Sequence, residues 1–266
     1  MDSSSTGMWS LGDAYEPYAG RWSRLVAREF LDWLNVPPGS RWLDVGCGTG
    51  AVSSTILAVA SPSEVTGVDP SPGFASYARE HVRDPRATFM VGDATALPFP
   101  AAAFDATVAG LVLNFVSDTQ SAVAEMTRVT RAGGVVGAYV WDYGEGMEMM
   151  RAFWNAALAI DPSSTELDQG QRFAASFNPD AMVALFEGAG LHHAEAGAIV
   201  VPTVFRDFDD FWTPFLGAQG GAPSYLARLN PDHQAGIRDR LRSTLPVAGD
   251  GSIHLSARAW AAKGTR

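Results

Sequence analysis

The chain has 266 residues, of which 47% are hydrophobic and 18% charged, and its formal net charge is −10. This composition excludes a wholly disordered chain, and the length accommodates one large or two small domains. The acidic balance argues against nucleic acid and anionic membranes as partners, because both bind to basic surfaces. Cys47 is the only cysteine, which excludes an intramolecular disulfide and a cysteine-based zinc site.

The beginning of the chain carries neither the basic nor the apolar region of a signal peptide. No apolar run reaches the roughly 18 residues that a membrane-spanning helix needs. We therefore expect a soluble, cytoplasmic protein.

Apolar residues recur at helical spacing over residues 21–34, and a Pro-Pro-Gly run ends this helix. Short apolar runs then alternate with helical stretches. The predicted strands are 42–45, 65–68, 87–91, 104–109, 135–140, 199–205 and 253–261, and the predicted helices between them are 51–59, 72–82, 121–130 and 179–188. Such alternation predicts a parallel sheet with helices on both faces.

Two insertions interrupt this alternation, at about 143–178 and 207–250. In the first insertion, the sequence predicts a helix over 147–160 followed by a polar loop over 161–171. In the second insertion, it predicts an amphipathic helix over 232–245. Because both lie between late strands, we expect a helical lid on the sheet rather than a separate domain. The predicted organisation is an N-terminal helical lid over 1–40 and a main domain over 41–266.

Two local predictions concern other parts of the chain. The helix over 121–130 is predicted to be ended by Arg-Ala-Gly-Gly at 131–134, and the two histidines at 192 and 193 are predicted to lie in a surface turn.

A glycine-rich turn follows the first predicted strand and opens a helix, with Gly46 and Gly48 on either side of Cys47. Glycines permit a sharp turn and close approach of the backbone to a ligand. Asp69 ends the second strand roughly 20 residues on, where an acid can accept two ribose hydroxyls. With Ala51, the two glycines also satisfy the dinucleotide-binding pattern, and glycines used only for the tight turn are a further alternative.

Two acidic residues separate these cofactor classes. Asp44 stands just before the first glycine, where a carboxylate repels a pyrophosphate and attracts an ammonium group. Asp93 ends the third strand, between Gly92 and Ala94, and can accept a hydrogen bond from an adenine amino group. Both positions favour a cofactor with an adenosyl group and a positive charge over a dinucleotide.

Taken together, residues 44–50, Asp69 and residues 92–94 resemble the motifs of class I S-adenosylmethionine-dependent methyltransferases, in particular the small-molecule, UbiE-like family. The resemblance covers residues 15–142 closely. It implies an α/β fold, in which a doubly wound, mostly parallel, Rossmann-like sheet of seven strands has an antiparallel last strand and helical lid insertions.

The resemblance also implies which residues contact S-adenosyl-L-methionine. Asp44 would lie near its amino group, Asp69 would hold the ribose and Asp93 the adenine. The residues that match the family's cofactor motifs are Asp44, Gly46, Cys47, Gly48, Asp69, Pro70, Ser71, Gly92, Asp93, Ala94 and Leu111. Residues 15–23 resemble a lid over the cofactor, with Tyr15, Tyr18 and Trp22 as contacts, and aromatic packing of an N-terminal helix is the alternative.

Methyl transfer needs a dry pocket and accurate positioning, and a base only where the acceptor carries a proton. Asn114 follows the fourth strand, where many relatives carry a histidine, and it can orient an acceptor but cannot act as a base. Asp142 and Tyr18 are the other candidate catalytic residues. The alternative to a catalytic role for Asp142 is that of a loop carboxylate that caps the next turn. No histidine has metal-ligand spacing, so no metal is expected.

Aromatic and methionine residues suit a pocket for a planar apolar substrate, although packing in the core is the alternative. The candidate substrate-binding residues are Asn114, Trp141, Tyr143, Met147, Phe153, Trp154, Phe211 and Trp212. The sequence thus favours methylation, at oxygen, nitrogen or carbon, of a small aromatic or apolar metabolite such as an indole, with S-adenosyl-L-homocysteine as the other product. A non-catalytic S-adenosylmethionine-binding or regulatory protein and an NAD(P)-dependent oxidoreductase are the alternatives.

Overall fold

The computed structural model describes residues 21–168, 170, 173, 176–217 and 220–266. The α-helices are α1 (Arg21–Leu34), α2 (Ala51–Val59), α3 (Pro72–His81), α4 (Thr119–Val129), α5 (Glu148–Ile160), α6 (Pro179–Gly188), α7 (Phe208–Trp212), α8 (Gly221–Leu226) and α9 (Pro231–Thr244). The strands are β1 (Arg41–Val45), β2 (Glu64–Asp69), β3 (Ala87–Val91), β4 (Phe104–Gly110), β5 (Thr130–Trp141), β6 (His192–Phe205) and β7 (Ile253–Thr265). Short 3₁₀ helices span Leu113–Phe115, Pro162–Leu167 and Thr213–Gly217.

The seven strands form one sheet in the order β3-β2-β1-β4-β5-β7-β6. The neighbouring pairs from β3 to β5 are parallel, and β7 is antiparallel to both β5 and β6. The predicted doubly wound α/β fold with an antiparallel last strand is therefore confirmed. Strand order reverses between β1 and β4, and a crevice opens at such a switch point beyond the carboxyl ends of the strands.

The helix before residues 131–134 ends at Val129, as predicted, but these residues belong to β5, which therefore begins earlier than the predicted residue 135. They bulge out of the pairing with β4, whose register shifts between Phe104 and Ala106. Gly133 donates a hydrogen bond to the carbonyl of Arg266 (2.7 Å), and the Arg266 amide donates to the carbonyl of Gly134 (3.0 Å). The partner of this segment is thus the end of the chain, which the local sequence does not reveal.

Two further local predictions differ from the structure. His192 pairs with Thr265 at the start of β6, so the predicted surface turn is the first part of an edge strand. In the predicted polar loop after α5, residues Pro162–Leu167 form a 3₁₀ helix. Asp161 caps it by accepting a hydrogen bond from the Ser163 amide (3.0 Å), which satisfies one of the unpaired donors at a helix start.

The sheet separates two apolar layers because successive strand residues point to opposite faces. α1 and the insertion helices cover one face, where the rings of Phe30 and Tyr139 lie 4.8 Å apart. α4 and α6 cover the other, around Met126 and Phe186. The insertions are thereby anchored in a shared core on one face of the sheet. Within the described residues, no helix is long and apolar enough to span a bilayer.

Candidate active site

A cleft of about 440 Å³ opens at the carboxyl ends of the parallel strands. It is lined by ten of the residues predicted to contact the cofactor: Gly46, Cys47, Gly48, Asp69, Pro70, Ser71, Gly92, Asp93, Ala94 and Leu111. The sheet topology brings these residues together from three strand ends and the β4 loop. Tyr15 and Tyr18 lie outside the described residues. Trp22 is buried in the core against Phe205, with ring centroids 5.6 Å apart, and its neighbour Ser23 lines the cleft instead.

The glycine-rich loop between β1 and α2 is held by its own hydrogen bonds. The amides of Gly46 and Cys47 both donate to the carbonyl of Val68, at 2.7 and 2.9 Å, and the amide of Gly48 donates to Asp69 Oδ2 at 3.0 Å. Gly46 has a φ of 70°, and a Cβ placed there would lie 2.4 Å from Val112, so only glycine fits. Because the amides of Gly46, Cys47 and Gly48 already have acceptors, they are not free to bind a pyrophosphate.

Asp44 lies at the end of β1, fully buried beneath this loop. Its Oδ2 accepts hydrogen bonds from the amide (2.9 Å) and the hydroxyl (2.7 Å) of Ser53 in the first turn of α2. Its Oδ1 is buried without a partner. Burial raises the pKa of Asp44 to about 6. The carboxylate thus occupies the helix N-terminus where a dinucleotide would place its phosphates, and its second oxygen is buried without a hydrogen-bond donor.

Asp69 ends β2 at the floor of the cleft and is only 7% exposed. Its Oδ2 accepts from Gly48 and its Oδ1 accepts from the Ser71 amide at 2.8 Å. Burial raises the pKa of this carboxyl, and the two backbone hydrogen bonds oppose that rise. Each carboxylate oxygen can accept a second hydrogen bond, so the group is held in place and can still receive two hydroxyls of a ribose.

Asp93 follows β3 at the far end of the same cleft. Its Oδ1 accepts two hydrogen bonds of 2.8 Å from the amide and hydroxyl of Thr95, which leaves Oδ2 for a ligand. Phe74, on the first turn of α3, also lines this end, although the sequence analysis did not single it out. The sequence feature that could have indicated this position is Ser71, the N-cap residue of α3. Its hydroxyl accepts a hydrogen bond from the Phe74 amide (3.4 Å), which fixes the start of the helix. Asp69 and Asp93 thus present carboxylate oxygens to the cleft that could accept hydrogen bonds from a ligand, and Asp44 is buried beneath the glycine-rich loop.

The other half of the cleft is largely apolar. It is lined by three of the candidate substrate-binding residues, Trp141, Tyr143 and Met147, and also by Phe115, Val116, Ser117, Met150, Gly220 and Gly221. Among the described residues that line this half, none carries a carboxylate, an amine or an imidazole. Burial raises the pKa of the Cys47 thiol well above its usual range, so this cysteine stays protonated. The described residues also contain no cluster of three potential metal ligands.

Asp142 does not line the cleft, so the structure gives it no access to an acceptor proton. Its Oδ1 accepts from the amides of Gly144 (3.1 Å) and Glu145 (3.3 Å), and its Oδ2 forms an ion pair with Arg258 (2.6 Å). The Arg258 amide in turn donates to the carbonyl of Gly146 (2.8 Å). This geometry is that of the alternative role, a capping carboxylate, because the amide hydrogen bonds and the ion pair order the turn after β5, and Tyr143 of this turn lines the cleft.

Four predicted substrate-binding residues lie in the core and not at the cleft: Phe153, Trp154, Phe211 and Trp212. The rings of Phe153 and Phe215 stack at 4.6 Å, and Phe211 packs edge-on to Phe205 at 5.2 Å. Their helical spacing correctly indicated one apolar face on each helix. That face packs against the sheet and the other insertion. Packing in the core was the alternative to a substrate wall, and helical spacing does not distinguish the two.

Asn114 lies in the 3₁₀ helix Leu113–Phe115 and lines a second cavity beside the cleft. Only 9% of the residue is exposed, and neither its Nδ2 nor its Oδ1 has a hydrogen-bond partner. Asn114 was predicted to line the cleft, but in the structure it lines the neighbouring cavity instead.

Comparison with known proteins agrees with this geometry. Residues 43–137 match the family model described as a methyltransferase domain. The demethylmenaquinone methyltransferase of Renibacterium salmoninarum is 40% identical over 114 residues, which cover 43% of this chain and 45% of the relative. The 2-methyl-6-phytyl-1,4-hydroquinone methyltransferase of Synechocystis sp. is 31% identical over 193 residues, covering 71% and 58%. The chain thus spans only about half the length of the curated relatives that it matches.

The fold is also similar to that of a solved methyltransferase. The structure of a Haemonchus contortus phosphoethanolamine N-methyltransferase, in complex with phosphomonomethylethanolamine and S-adenosylhomocysteine, aligns with a TM-score of 0.55 at 19% identity. The alignment covers 90% of this chain and 52% of that one. At this identity the likeness shows a common fold, and the chemistry has to be argued from the cleft.

Proposed function

This chain carries a methyltransferase domain of the class I, S-adenosylmethionine-dependent family, and from that premise we propose that it methylates a small, neutral, largely apolar acceptor. The observation that carries the proposal is the division of one cleft into two halves. Two carboxylates, Asp69 and Asp93, line one half, where Asp44 is buried beneath the glycine-rich loop, and uncharged side chains line the other half.

The acidic half provides the positions for an adenosyl amino acid. The unpartnered Oδ1 of Asp44 suits the amino group, directly or through water, because a buried carboxylate oxygen gains most from a cationic donor. The Asp69 carboxylate suits the ribose hydroxyls, and the free oxygen of Asp93 suits the adenine amino group. The hydrogen bonds within the glycine-rich loop disfavour the oxidoreductase alternative, since they leave a pyrophosphate few donors.

S-adenosyl-L-methionine supplies, when bound, a methyl group on a positively charged sulfur, which keeps the bonding electron pair as the acceptor atom takes the methyl. The residues of this chain position the acceptor and exclude water from it. Trp141, Met147 and Met150 form the apolar walls that do so, and a dry site favours the loss of charge during transfer. Tyr143 is the ionisable side chain of the turn after β5 that reaches these walls.

The absence of a carboxylate or imidazole among the described acceptor walls favours an acceptor that is already nucleophilic. An electron-rich ring carbon or a phenolate meets this requirement, and positioning then supplies most of the rate enhancement. Two relatives named for demethylmenaquinone and for a phytyl hydroquinone support an acceptor built on a substituted ring. We therefore extend the proposal to aromatic acceptors of this kind.

The test is binding followed by turnover. Isothermal titration should show binding of S-adenosyl-L-homocysteine that the Asp69→Ala variant loses and that Asp239→Asn, an exposed substitution on α9, retains. Incubation of the protein with deuteromethyl S-adenosylmethionine and a panel of hydroquinones, phenols and indoles should transfer the label to a ring substrate, as detected by mass spectrometry. Binding without any label transfer across the panel would favour the non-catalytic alternative, and equal binding by wild type and Asp69→Ala would refute the cofactor site.

A further inference from the structure

Leu111 lies at the boundary between the two halves of the cleft. In the order of the strands, β4 stands between β1, which leads into the glycine-rich loop, and β5, which leads to the acceptor walls. Leu111 follows β4 directly and lines the cleft. It is half-buried and packs against the apolar cluster that contains Trp141 and Met150. With a cofactor in one half and an acceptor in the other, this boundary is where the methyl group passes.

The backbone of Leu111 adopts a conformation that leucine rarely takes. Its φ of 61° lies in the left-handed region, where the Cβ of a bulky residue crowds the backbone and glycine is free of strain. The other described non-glycine residues in this region are small or polar: Asn35, Ser61, Ala102 and His193. A glycine would relieve the strain and remove only the side chain, so the strain points to a task that the side chain performs.

Packing on both sides of Leu111 enforces this conformation. Its amide donates a hydrogen bond to the carbonyl of Tyr139 (2.8 Å), and a Cβ on the preceding Gly110 would lie 2.7 Å from the hydroxyl oxygen of the same tyrosine. A Cβ on Gly46 would lie 2.4 Å from Val112, the residue that follows Leu111. The turn is thus held between β5 and the glycine-rich loop, and Leu111 cannot turn away from the cleft without opening these contacts.

An apolar side chain at this boundary has a defined effect on methyl transfer. The acceptor atom must approach the methyl in line with the sulfur and near contact distance, and a small lateral displacement lowers the rate. A branched side chain beside that line occupies the volume into which the acceptor ring or a water molecule could otherwise move. It also leaves little room for a transferred group that is larger than methyl.

We propose that Leu111 is a specificity-determining residue, whose strained backbone holds an isobutyl group beside the methyl, where it aligns the acceptor ring and restricts the transferred group to methyl. This inference rests on the proposed function. In the step itself, an electron pair of the acceptor forms the new bond to the methyl carbon, and the pair of the broken bond stays on sulfur. Leu111 acts by its shape and exchanges neither proton nor electron.

The first test measures the strain at Leu111. Leu111→Ala and Leu111→Gly both remove the branched end of the side chain, and they differ in a Cβ that is strained at this φ. The urea midpoint of Leu111→Gly should therefore be higher than that of Leu111→Ala. At Ala235, an exposed position on α9, replacement by glycine should lower the midpoint, as it does within helices. A lower midpoint for Leu111→Gly than for Leu111→Ala would overturn the inference.

The second test asks whether the side chain touches an acceptor ring. 1-Naphthol serves as the ring probe, and NMR titration follows its binding to the complex with S-adenosyl-L-homocysteine. Leu111→Ala should weaken naphthol binding about fivefold or more, as expected for a lost apolar contact, and S-adenosyl-L-homocysteine binding less than about threefold. Leu111→Met, which restores an apolar side chain of similar length, should bind the probe within about twofold of wild type.

Two further variants separate the side chain from the backbone. Leu111→Asn is polar but tolerates the left-handed region, so it should fold and should bind naphthol as weakly as Leu111→Ala does. Leu158→Ala, at an exposed position on α5, is the matched control and should bind both ligands as wild type does. Naphthol binding that is equal in wild type and Leu111→Ala, or undetectable in wild type, would overturn the inference, and so would equal losses for both ligands.

The third test uses turnover of a ring that the protein methylates. S-adenosyl-L-ethionine offers an ethyl group, and wild type should transfer methyl about tenfold or more faster, as expected for one extra methylene in a closed space. Leu111→Ala should lower this preference about fivefold or more, and an unchanged preference would overturn the restriction to methyl. Loss of S-adenosyl-L-homocysteine binding by wild type would refute the proposed function, whereas ring binding and transfer that do not depend on Leu111 would refute only this inference.

Discussion

Replacing Asp44 by asparagine should stabilise the protein and weaken its cofactor binding. Asp44 is fully buried, one of its oxygens lacks a partner, and burial raises its pKa from 3.8 to about 6. Because the folded-state pKa lies above the unfolded-state value, the contribution of Asp44 to stability is fully present below pH 3.8 and is lost as the pH rises through about 6. Two pKa units correspond to about 3 kcal/mol of unfolding free energy.

An asparagine stays neutral at every pH and its oxygen can still accept from Ser53, so Asp44→Asn avoids this cost. The variant should gain up to about 3 kcal/mol at pH 7.5, and the gain should shrink towards zero as the pH falls to 4. Urea denaturation followed by tryptophan fluorescence measures both values. Asp239→Asn, an exposed substitution, serves as the control and should leave stability within about 0.5 kcal/mol at both pH values.

The same substitution removes the carboxylate that we assign to the cofactor's amino group. Titration calorimetry at pH 7.5 should show S-adenosyl-L-homocysteine binding weakened about tenfold or more, as expected for loss of a charge-assisted hydrogen bond. In wild type, binding should also weaken below pH 6, because Asp44 must lose a proton to bind an ammonium group, and in Asp44→Asn this dependence should disappear. A variant that is less stable than wild type at pH 7.5, or a gain that persists unchanged at pH 4, would refute the reasoning.

Three further predictions concern other parts of the site. Asp69→Ala removes the carboxylate at the floor of the cleft and should weaken S-adenosyl-L-homocysteine binding about 100-fold by calorimetry, as expected for two lost hydrogen bonds to a charged group; an affinity within threefold of wild type would contradict the ribose assignment. Gly46→Ala should destabilise the protein by about 2–3 kcal/mol in urea denaturation, since its Cβ clashes with a side chain, whereas Gly39→Ala, with a similar φ of 79° and open space, should lose only about 1 kcal/mol. Arg258→Met removes the cationic partner of the Asp142 carboxylate and should raise the acceptor KM while the affinity for S-adenosyl-L-homocysteine stays as in wild type; equal effects on both would show a general loss of structure.

The order of elements and the acidic half of the cleft could be predicted because their signals are local. Each strand is a short apolar run, and the glycine-rich turn, Asp69 and Asp93 each follow such a run directly. In a parallel sheet the carboxyl ends of the strands meet at one edge, so residues far apart in the chain converge without any further information. For this reason ten of the predicted cofactor residues line one cleft.

The residues of the apolar half of the cleft could not be predicted from the sequence, because their positions depend on partners far away in the chain. Asp142 reads as a free carboxylate until Arg258, on the last strand, is found beside it. Phe153 and Phe211 lie on apolar helical faces whose direction is set only when the two insertions pack on the same side of the sheet. Asn114 lies at the predicted strand end, but its side chain belongs to a neighbouring cavity that helices α4 and α6 create.

The α/β fold, the position of the cleft and the acids at its edge, Asp69 and Asp93, follow from the amino-acid sequence. These follow from local apolar patterns and from strand topology, which any parallel sheet of this kind shares. Tertiary packing settles which apolar residues line the cleft and which form the core, which cation pairs with Asp142, and that the side-chain amide of Asn114 is buried. Those outcomes depend on packing between segments far apart in the chain, such as Asp142 and Arg258, which are separated by 116 residues, and a side chain's burial and partners are properties of that packing.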